Sequence, residues 1–210
     1  MTKGNTQYHT TIKTQYAAIA ADLQGLNAYR YDRNITGGNQ EFIEAAAFEH
    51  YLTTGSLLPY DEACRRFVEF GGDAGAIPLS PEDYLLGLFD MTGELMRFAV
   101  TAMATDGKLP SSSGEDHPSL GEEGMDVDAQ EGKRDVLTDL RELRAQMEGL
   151  EIQSGWLARD VDKKMDVMRT SVEKVERALY GLVIRGRERP KGWMPDLDGG
   201  GRRTEVDVEA

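Results

Sequence analysis

Two stretches of this sequence each carry a pair of carboxylates spaced by about one helical turn. Asp90 and Glu94 lie four apart in the stretch LFDMTGELMRF. Glu41 and Glu44 lie three apart in the stretch EFIEAAAFEHYL. Residues at these spacings share one face of a helix, so two neighbouring helices would bring four carboxylates together. Hard cations such as Mg²⁺ prefer oxygen ligands and can activate water for phosphodiester cleavage. The spacing therefore predicts a candidate metal-dependent hydrolytic site.

Spacing alone leaves another interpretation of these pairs open. Each pair is also compatible with a solvated helix face, because like charges one turn apart cost only about 0.2–0.5 kcal/mol. Arg97 stands three residues after Glu94, where it offers an ordinary ion-pair partner. A carboxylate-bridged di-iron bundle is disfavoured, because it needs Glu-x-x-His motifs and no histidine of the chain follows a glutamate at that spacing. The sequence also contains no Ser-His-Asp or Cys-His nucleophile set, Gly-rich phosphate loop or zinc-type cysteine spacing.

The helix that carries Asp90 and Glu94 has the clearest start in the chain. Ser80 is a favourable N-cap, proline follows at the first helical position, and two acids occupy the first turn. The pattern predicts a helix that runs to about Thr105 and is apolar over most of its circumference, so we expect other helices to surround it. Its narrow polar strip comprises Asp83, Gly87, Asp90, Glu94, Arg97 and Thr101. We interpret Gly93, beside this strip, as a point of close helix approach.

Helical spacing also dominates the rest of the chain, and strand signals are almost absent. The pattern predicts helices over 7–28, 41–52, from Pro59 onward, over 136–150 and over 156–185, with a break or loose helix start at 34–40. In the second of these, both glutamates share a side with Ala45, Phe48 and Leu52, so we expect them on the core side. A regular apolar stripe in the last helix predicts core packing. Together these elements predict an all-α, antiparallel helical bundle of five to six helices.

Acidic residues are unevenly distributed along the 210 residues. The net charge is −13, and residues 106–131 contain eight acidic residues against one lysine. This Ser-, Gly- and acid-rich composition predicts a disordered loop inside a single helical domain over 1–190, followed by a flexible tail over 191–210. The remaining chain is only mildly acidic, so its charge neither excludes nor indicates an RNA partner.

Cysteine usage and hydropathy bound the compartment in which we expect the protein. Cys64 is the only cysteine, which excludes an intramolecular disulfide and favours a reducing compartment. No apolar run approaches the roughly 20 residues that a membrane-spanning helix needs, and the first residues lack the apolar stretch of a signal peptide. We therefore expect a soluble, intracellular protein with no membrane association.

Three blocks of the sequence resemble the translin superfamily, in the order in which that family has them. They are YRYDRNITGGNQEFIEAAAFEHYLTTGSL (29–57), PLSPEDYLLGLFDMTGELMRFA (78–99) and KKMDVMRTSVEKVERALYGLVIRGRERP (163–190). Within the superfamily they are most similar to the translin-associated factor X (TRAX) branch. The combination of DYLLGLFDMTGELMR with KVERALYGLVIRG is specific to these proteins, and the three blocks together span about 80 residues.

This resemblance implies a fold, an activity and partners. The family is an all-α bundle, and TRAX pairs with translin in a closed, hollow hetero-oligomer. That complex is an endoribonuclease that requires Mg²⁺, or Mn²⁺ as a possible substitute, and acts on single-stranded RNA. The resemblance implies roles in small-RNA silencing, through passenger-strand removal, and in tRNA precursor processing, with cytoplasmic and nuclear localisation. Single-stranded DNA is a further ligand that the family suggests.

The family's catalytic acids occur here at Glu41, Glu44, Asp90 and Glu94. The resemblance therefore implies that these four residues are both the catalytic residues and the metal ligands, and that the chain is a competent nuclease subunit. The alternative is a non-catalytic scaffold subunit that completes a nucleic-acid-binding shell with translin. An intact acid quartet favours the catalytic alternative, because a scaffold would not need it.

Basic residues that could contact RNA are harder to select. We take Arg97, Lys163, Lys164 and Arg185 as candidates, with Arg97 preferred because it lies one turn from Glu94. Phosphate contacts of this kind would make binding sensitive to salt. Many late basic residues also have acids at i,i+4 spacing, as in Asp160/Lys164 and Glu173/Arg177, which predicts ordinary surface pairs.

Two departures from the family pattern affect these expectations. Family members begin with a further long helix and a basic stretch ahead of the region that matches residue 1, so we expect this sequence to be a fragment or to start late. The acidic 106–131 segment is also longer than the connection that the family usually has, and its role is open.

Overall fold

The computed structural model describes residues 3–112 and 134–188. Six α-helices occur in these ranges: α1 (Lys3–Ile19), α2 (Leu26–Thr54), α3 (Tyr60–Gly71), α4 (Pro81–Thr105), α5 (Val136–Glu148) and α6 (Trp156–Glu188). Short 3₁₀ turns follow α1 and α3, and the described residues form no strand beyond one isolated bridge between Ser111 and Asp135. The predicted all-α fold and the helix count are confirmed.

The start of α4 follows its predicted capping chemistry. The Ser80 hydroxyl accepts a hydrogen bond from the Asp83 backbone N–H at 3.1 Å, and Pro81 occupies the first helical position. The helix ends at Thr105, as predicted. α5 begins in the same way, because the Asp135 carboxylate accepts a hydrogen bond from the Thr138 N–H at 2.7 Å.

Two predicted boundaries near the start of the chain are wrong. The predicted helix over 7–28 ends at Ile19, and the chain turns at Gly25, whose φ of 60° favours glycine. The predicted break over 34–40 does not exist, because α2 continues through Gly37 and Gly38. The intrinsic cost of glycine in a helix is about 1 kcal/mol per residue. Hydrogen bonds between this segment and α4, described below, offset that cost.

The core is one contiguous apolar cluster. Its aromatic part joins α1, α2 and α3 through Tyr16, Phe42, Phe67 and Phe70, whose ring centroids lie 4.9–6.5 Å apart. The predicted apolar stripe of α6 is buried as expected, through Val161, Met165, Met168, Val172 and Val175. α6 packs on α4 and α5, so α4 lies between α2 and α6 and is surrounded on most sides, as its composition predicted.

α5 and α6 run antiparallel. Arg141 pairs with Glu176 at one end, and Glu148 pairs with Arg169 at the other. None of the helices in the described part of the chain is both long and apolar enough to cross a membrane. Most of the predicted acidic loop and the whole predicted tail over 191–210 lie outside the described residues.

A candidate carboxylate site between α2, α4 and α6

A buried polar network around Asp83 aligns α2 with α4. Asp83 is only 1% exposed and accepts hydrogen bonds from the Thr36 hydroxyl, from Asn39 Nδ2 at 2.9 Å and from Gln40 Nε2 at 3.0 Å. Buried charges persist in proteins when they are fully hydrogen-bonded in this way. The first part of the α4 polar strip is therefore an interface with α2 and not a solvated face.

Gly87 brings the two helices into close contact one turn further along. A Cβ at Gly87 would lie 2.7 Å from Ile43 Cβ and 2.8 Å from the Gln40 carbonyl oxygen. The Asp83 network involves residues 36–40 of α2, and the contact at Gly87 extends to Ile43. Positions closer to the C-terminus of α2 therefore contact positions closer to the C-terminus of α4. The two helices run in the same direction, unlike α5 and α6. The expectation for Gly93 was wrong, because a Cβ there would have no neighbour within 4 Å.

Beyond this contact, three of the four predicted acids converge on one pocket. Glu44 of α2 meets Asp90 and Glu94 of α4 at a pocket of about 260 Å³, which α6 also lines. Burial raises the pKa of the Glu44 carboxyl above its ordinary value, and the charges of Asp90 and Glu94 raise it further. Lys164 and Arg97 partly oppose this increase. The three carboxylates therefore form one electrostatically coupled cluster.

Lys164 of α6 reaches into the cluster and binds Asp90. Its ammonium nitrogen lies 2.5 Å from both carboxylate oxygens of Asp90, and the two side chains are 25% and 34% exposed. The expected surface pair between Asp160 and Lys164 was wrong, because Lys163 pairs with Asp160 instead, at 3.5 Å. The i,i+4 rule considers only one helix, so it could not detect an acid on a neighbouring helix.

Arg97 connects the acid pocket to a second groove. Its guanidinium lies 2.5 Å from a Glu94 oxygen, and its side chain is 71% exposed. The second groove has a volume of about 350 Å³ and is also lined by Phe48 and Phe98, whose rings meet edge to face with centroids 6.3 Å apart. This aromatic pair was not selected from the sequence, where both residues counted only as part of the apolar pattern.

The structure places Glu41 apart from the other acids. Its side chain is exposed and lines a different cavity, of about 490 Å³, between α1 and α2. The expectation that both α2 glutamates share the core side was wrong, since Ala45 and Leu52 on that side are exposed. The core face of α2 is one position away, at Phe42 and Ile43. The catalytic role of Glu41 stays a prediction.

Two of the predicted RNA-binding residues also lie outside the acid pocket. Lys163 is 77% exposed in its pair with Asp160. Arg185, near the end of α6, is exposed and donates a hydrogen bond to the Gly181 carbonyl at 3.1 Å. Among the predicted basic residues, only Arg97 and Lys164 line the pocket that contains the acids.

The donor set of this pocket fits a hard divalent cation in its chemistry. All candidate ligands are carboxylate oxygens, which Mg²⁺ and Mn²⁺ accept. As the side chains stand, the described residues contain no group of three or more His, Cys, Asp or Glu side chains that could hold a metal ion. Asp90 and Glu94 are instead each paired with a cationic side chain, so a metal ion would have to compete with these ion pairs.

Comparison with known proteins identifies the family. The translin family model matches residues 1–186 of the chain. The chain belongs to the translin family. Within the family, it is 26% identical to translin-associated protein X of Rattus norvegicus over 204 aligned positions, which cover 89% of this chain and 62% of the rat protein. It is 28% identical to the translin-associated protein X homologue of Schizosaccharomyces pombe, over 85% of this chain and 63% of the yeast protein. The predicted TRAX branch is confirmed, and the chain spans less than two thirds of the length of these relatives.

Proposed function

We propose that this chain is the catalytic subunit of a Mg²⁺-dependent endoribonuclease that cleaves single-stranded RNA in a hetero-oligomer with translin. The observation that carries this proposal is the convergence of Glu44, Asp90 and Glu94 on one pocket, from two helices that a buried network holds in register. The names of the relatives support a partnership with translin, because they describe translin-associated proteins. On the family resemblance we further propose roles in small-RNA silencing and tRNA precursor processing, in the cytoplasm and nucleus.

Glu44, Asp90 and Glu94 would hold the metal ion in this proposal. When bound, Mg²⁺ would act as a Lewis acid that activates water and offsets negative charge on the phosphate. A carboxylate of this cluster that is not bound to the ion would accept the proton of the attacking water. The exposed guanidinium of Arg97 can bind a phosphate oxygen of the RNA backbone.

The groove beyond Arg97 could bind the RNA chain next to the phosphate at the acid pocket. Phe48 and Phe98 offer aromatic surface beside the acid pocket. Bases of single-stranded nucleic acids stack on such rings largely without regard to sequence. The phosphate at the acids and the neighbouring base at the aromatic pair would then be held on opposite sides of Arg97.

A cleavage assay with a matched control tests this proposal. The chain is purified with its cognate translin and incubated with end-labelled single-stranded RNA in Mg²⁺ or in EDTA. We expect cleavage only with Mg²⁺, and we expect Asp90→Asn to lower the rate by roughly 10²-fold or more, because the loss of even an outer-sphere partner of a metal site costs about 10–100-fold. Asp162→Asn is the matched control, because Asp162 is exposed on α6.

A non-catalytic scaffold is the second candidate function. The observation that favours it is the neutralisation of Asp90 by Lys164 and of Glu94 by Arg97 within the chain itself. In that case the complex would bind RNA, Mg²⁺ would not induce cleavage, and Asp90→Asn would behave like Asp162→Asn. The same assay therefore separates the two candidates.

A further inference from the structure

Lys164 occupies an unusual place among the basic residues of α6. The one acid that lies three or four residues from it along the chain is Asp160, but Lys163 pairs with that residue. Lys164 instead extends across the helix interface to α4 and contacts both carboxylate oxygens of Asp90. The pair is partly shielded from water, with three quarters of the lysine side chain buried. An ammonium so placed interacts more strongly with a carboxylate than one on an open surface does.

The contact engages the oxygens that a metal ion would need. A divalent cation binds carboxylate oxygens directly, and both oxygens of Asp90 are already hydrogen-bonded to one ammonium. The positive charge of Lys164 also acts on the rest of the cluster, since it opposes the rise in the pKa of Glu44. Lys164 and a divalent ion therefore favour the same position and repel each other.

We propose that Lys164 is a tethered cation that competes with the divalent metal for Asp90. In the absence of the metal, its ammonium neutralises Asp90 and holds α6 against α4. When the metal binds, the ammonium has to leave Asp90, which lowers the metal affinity of the natural chain. This proposal rests on the proposed function, because it requires that the carboxylate cluster binds a metal ion.

Metal titration without RNA tests the proposal independently of cleavage. Isothermal calorimetry with Mn²⁺ and with Mg²⁺ is carried out on the complex of the full chain with translin, as wild type, Lys164→Met, Lys174→Met and Asp90→Asn. Methionine retains an unbranched apolar chain and removes the charge. Lys174 is an exposed lysine ten residues further along α6, about 15 Å away at the helical rise, so its variant controls for the loss of one positive charge.

We expect Lys164→Met to bind the ion roughly tenfold more tightly than wild type, equivalent to about 1.4 kcal/mol. Lys174→Met should stay within twofold of wild type, and Asp90→Asn should lose binding. Unchanged or weaker affinity in Lys164→Met would overturn the inference, provided that wild type binds the ion and Asp90→Asn does not. If neither wild type nor Lys164→Met binds the ion, the proposed function fails and the inference fails with it; binding by Lys164→Met alone would support the inference. Lys164→Gln serves as a second variant, judged by the same criterion, if Lys164→Met does not fold.

Discussion

Gly87→Ala gives the sharpest test of the helix contact that positions the site. Alanine is favoured over glycine inside a helix by about 1 kcal/mol, so the substitution would stabilise α4 in isolation. In the folded chain, the new Cβ would lie 2.7 Å from Ile43 Cβ and 2.8 Å from the Gln40 carbonyl oxygen. Carbon atoms in favourable contact are about 3.5–4.0 Å apart, so α2 and α4 would have to separate by about 1 Å.

Gly93→Ala is the matched control for this substitution. Gly93 lies in the same helix, and a Cβ there would have no neighbour within 4 Å. Both variants gain the same helical propensity, so the difference between them isolates the cost of overpacking, about 1–3 kcal/mol. We expect Gly93→Ala to raise the free energy of unfolding by up to about 1 kcal/mol. The free energy of unfolding of Gly87→Ala should be lower than that of Gly93→Ala by the overpacking cost.

The assay is urea unfolding followed by far-UV circular dichroism. If Gly87→Ala is as stable as Gly93→Ala, the close approach of α2 and α4 is not as described, and the register that places Glu44 beside Asp90 loses its support. A clear difference between the variants would confirm that α4 packs on α2 through Gly87.

Three further predictions concern stability and RNA binding. Burial raises the pKa of Tyr60 from 10.0 to about 12; its protonated hydroxyl therefore stabilises the fold fully below pH 10, and this contribution disappears as the pH rises through 12. Urea midpoints of Tyr60→Phe should fall less steeply over that interval than those of wild type, and equal slopes would contradict the expectation. Asp83→Ala leaves three donors of α2 without their acceptor and should cost about 1–3 kcal/mol of unfolding free energy, whereas Asp73→Ala, at an exposed position, should cost little. Phe98→Leu keeps an apolar side chain but removes the ring, and should weaken binding of single-stranded RNA by about 1–3 kcal/mol in fluorescence anisotropy; unchanged affinity would exclude the aromatic groove from the RNA path.

Local signals in the sequence were sufficient for much of the fold. The Ser80 cap and the proline after it defined the start of α4, and the apolar stripe of α6 identified its buried face, because capping and periodicity depend on residues close in sequence. The segment over 34–40 was predicted wrongly for the opposite reason. Its two glycines weaken a helix locally, while the bonds to Asp83 that stabilise it come from 43–47 residues away.

In the candidate site too, the features that depend on residues close in sequence were predicted correctly, and those that depend on distant contacts were not. Spacing identified Asp90 and Glu94 as neighbours on one helix, and the family resemblance linked them to Glu44. The direction in which Glu41 points depends on how α2 is rotated about its axis against α1 and α4. An error of one position in the predicted core face of α2 is enough to place Glu41 on the wrong side of the helix. The contact between Lys164 and Asp90 joins residues 74 apart, and no pattern within α6 could reveal it.

The central claim is that Glu44 and Asp90 act together in one catalytic centre, and a double-mutant cycle on RNA cleavage tests it most directly. Values of kcat/KM in Mg²⁺ are measured for the complex with translin carrying Glu44→Gln, Asp90→Asn, or both. Residues that act as a unit show strongly non-additive losses. We predict that each single variant loses most of the activity and that the double variant is only slightly less active than the less active of the two single variants. Losses that multiply, or a single variant that retains the wild-type rate, would contradict the claim.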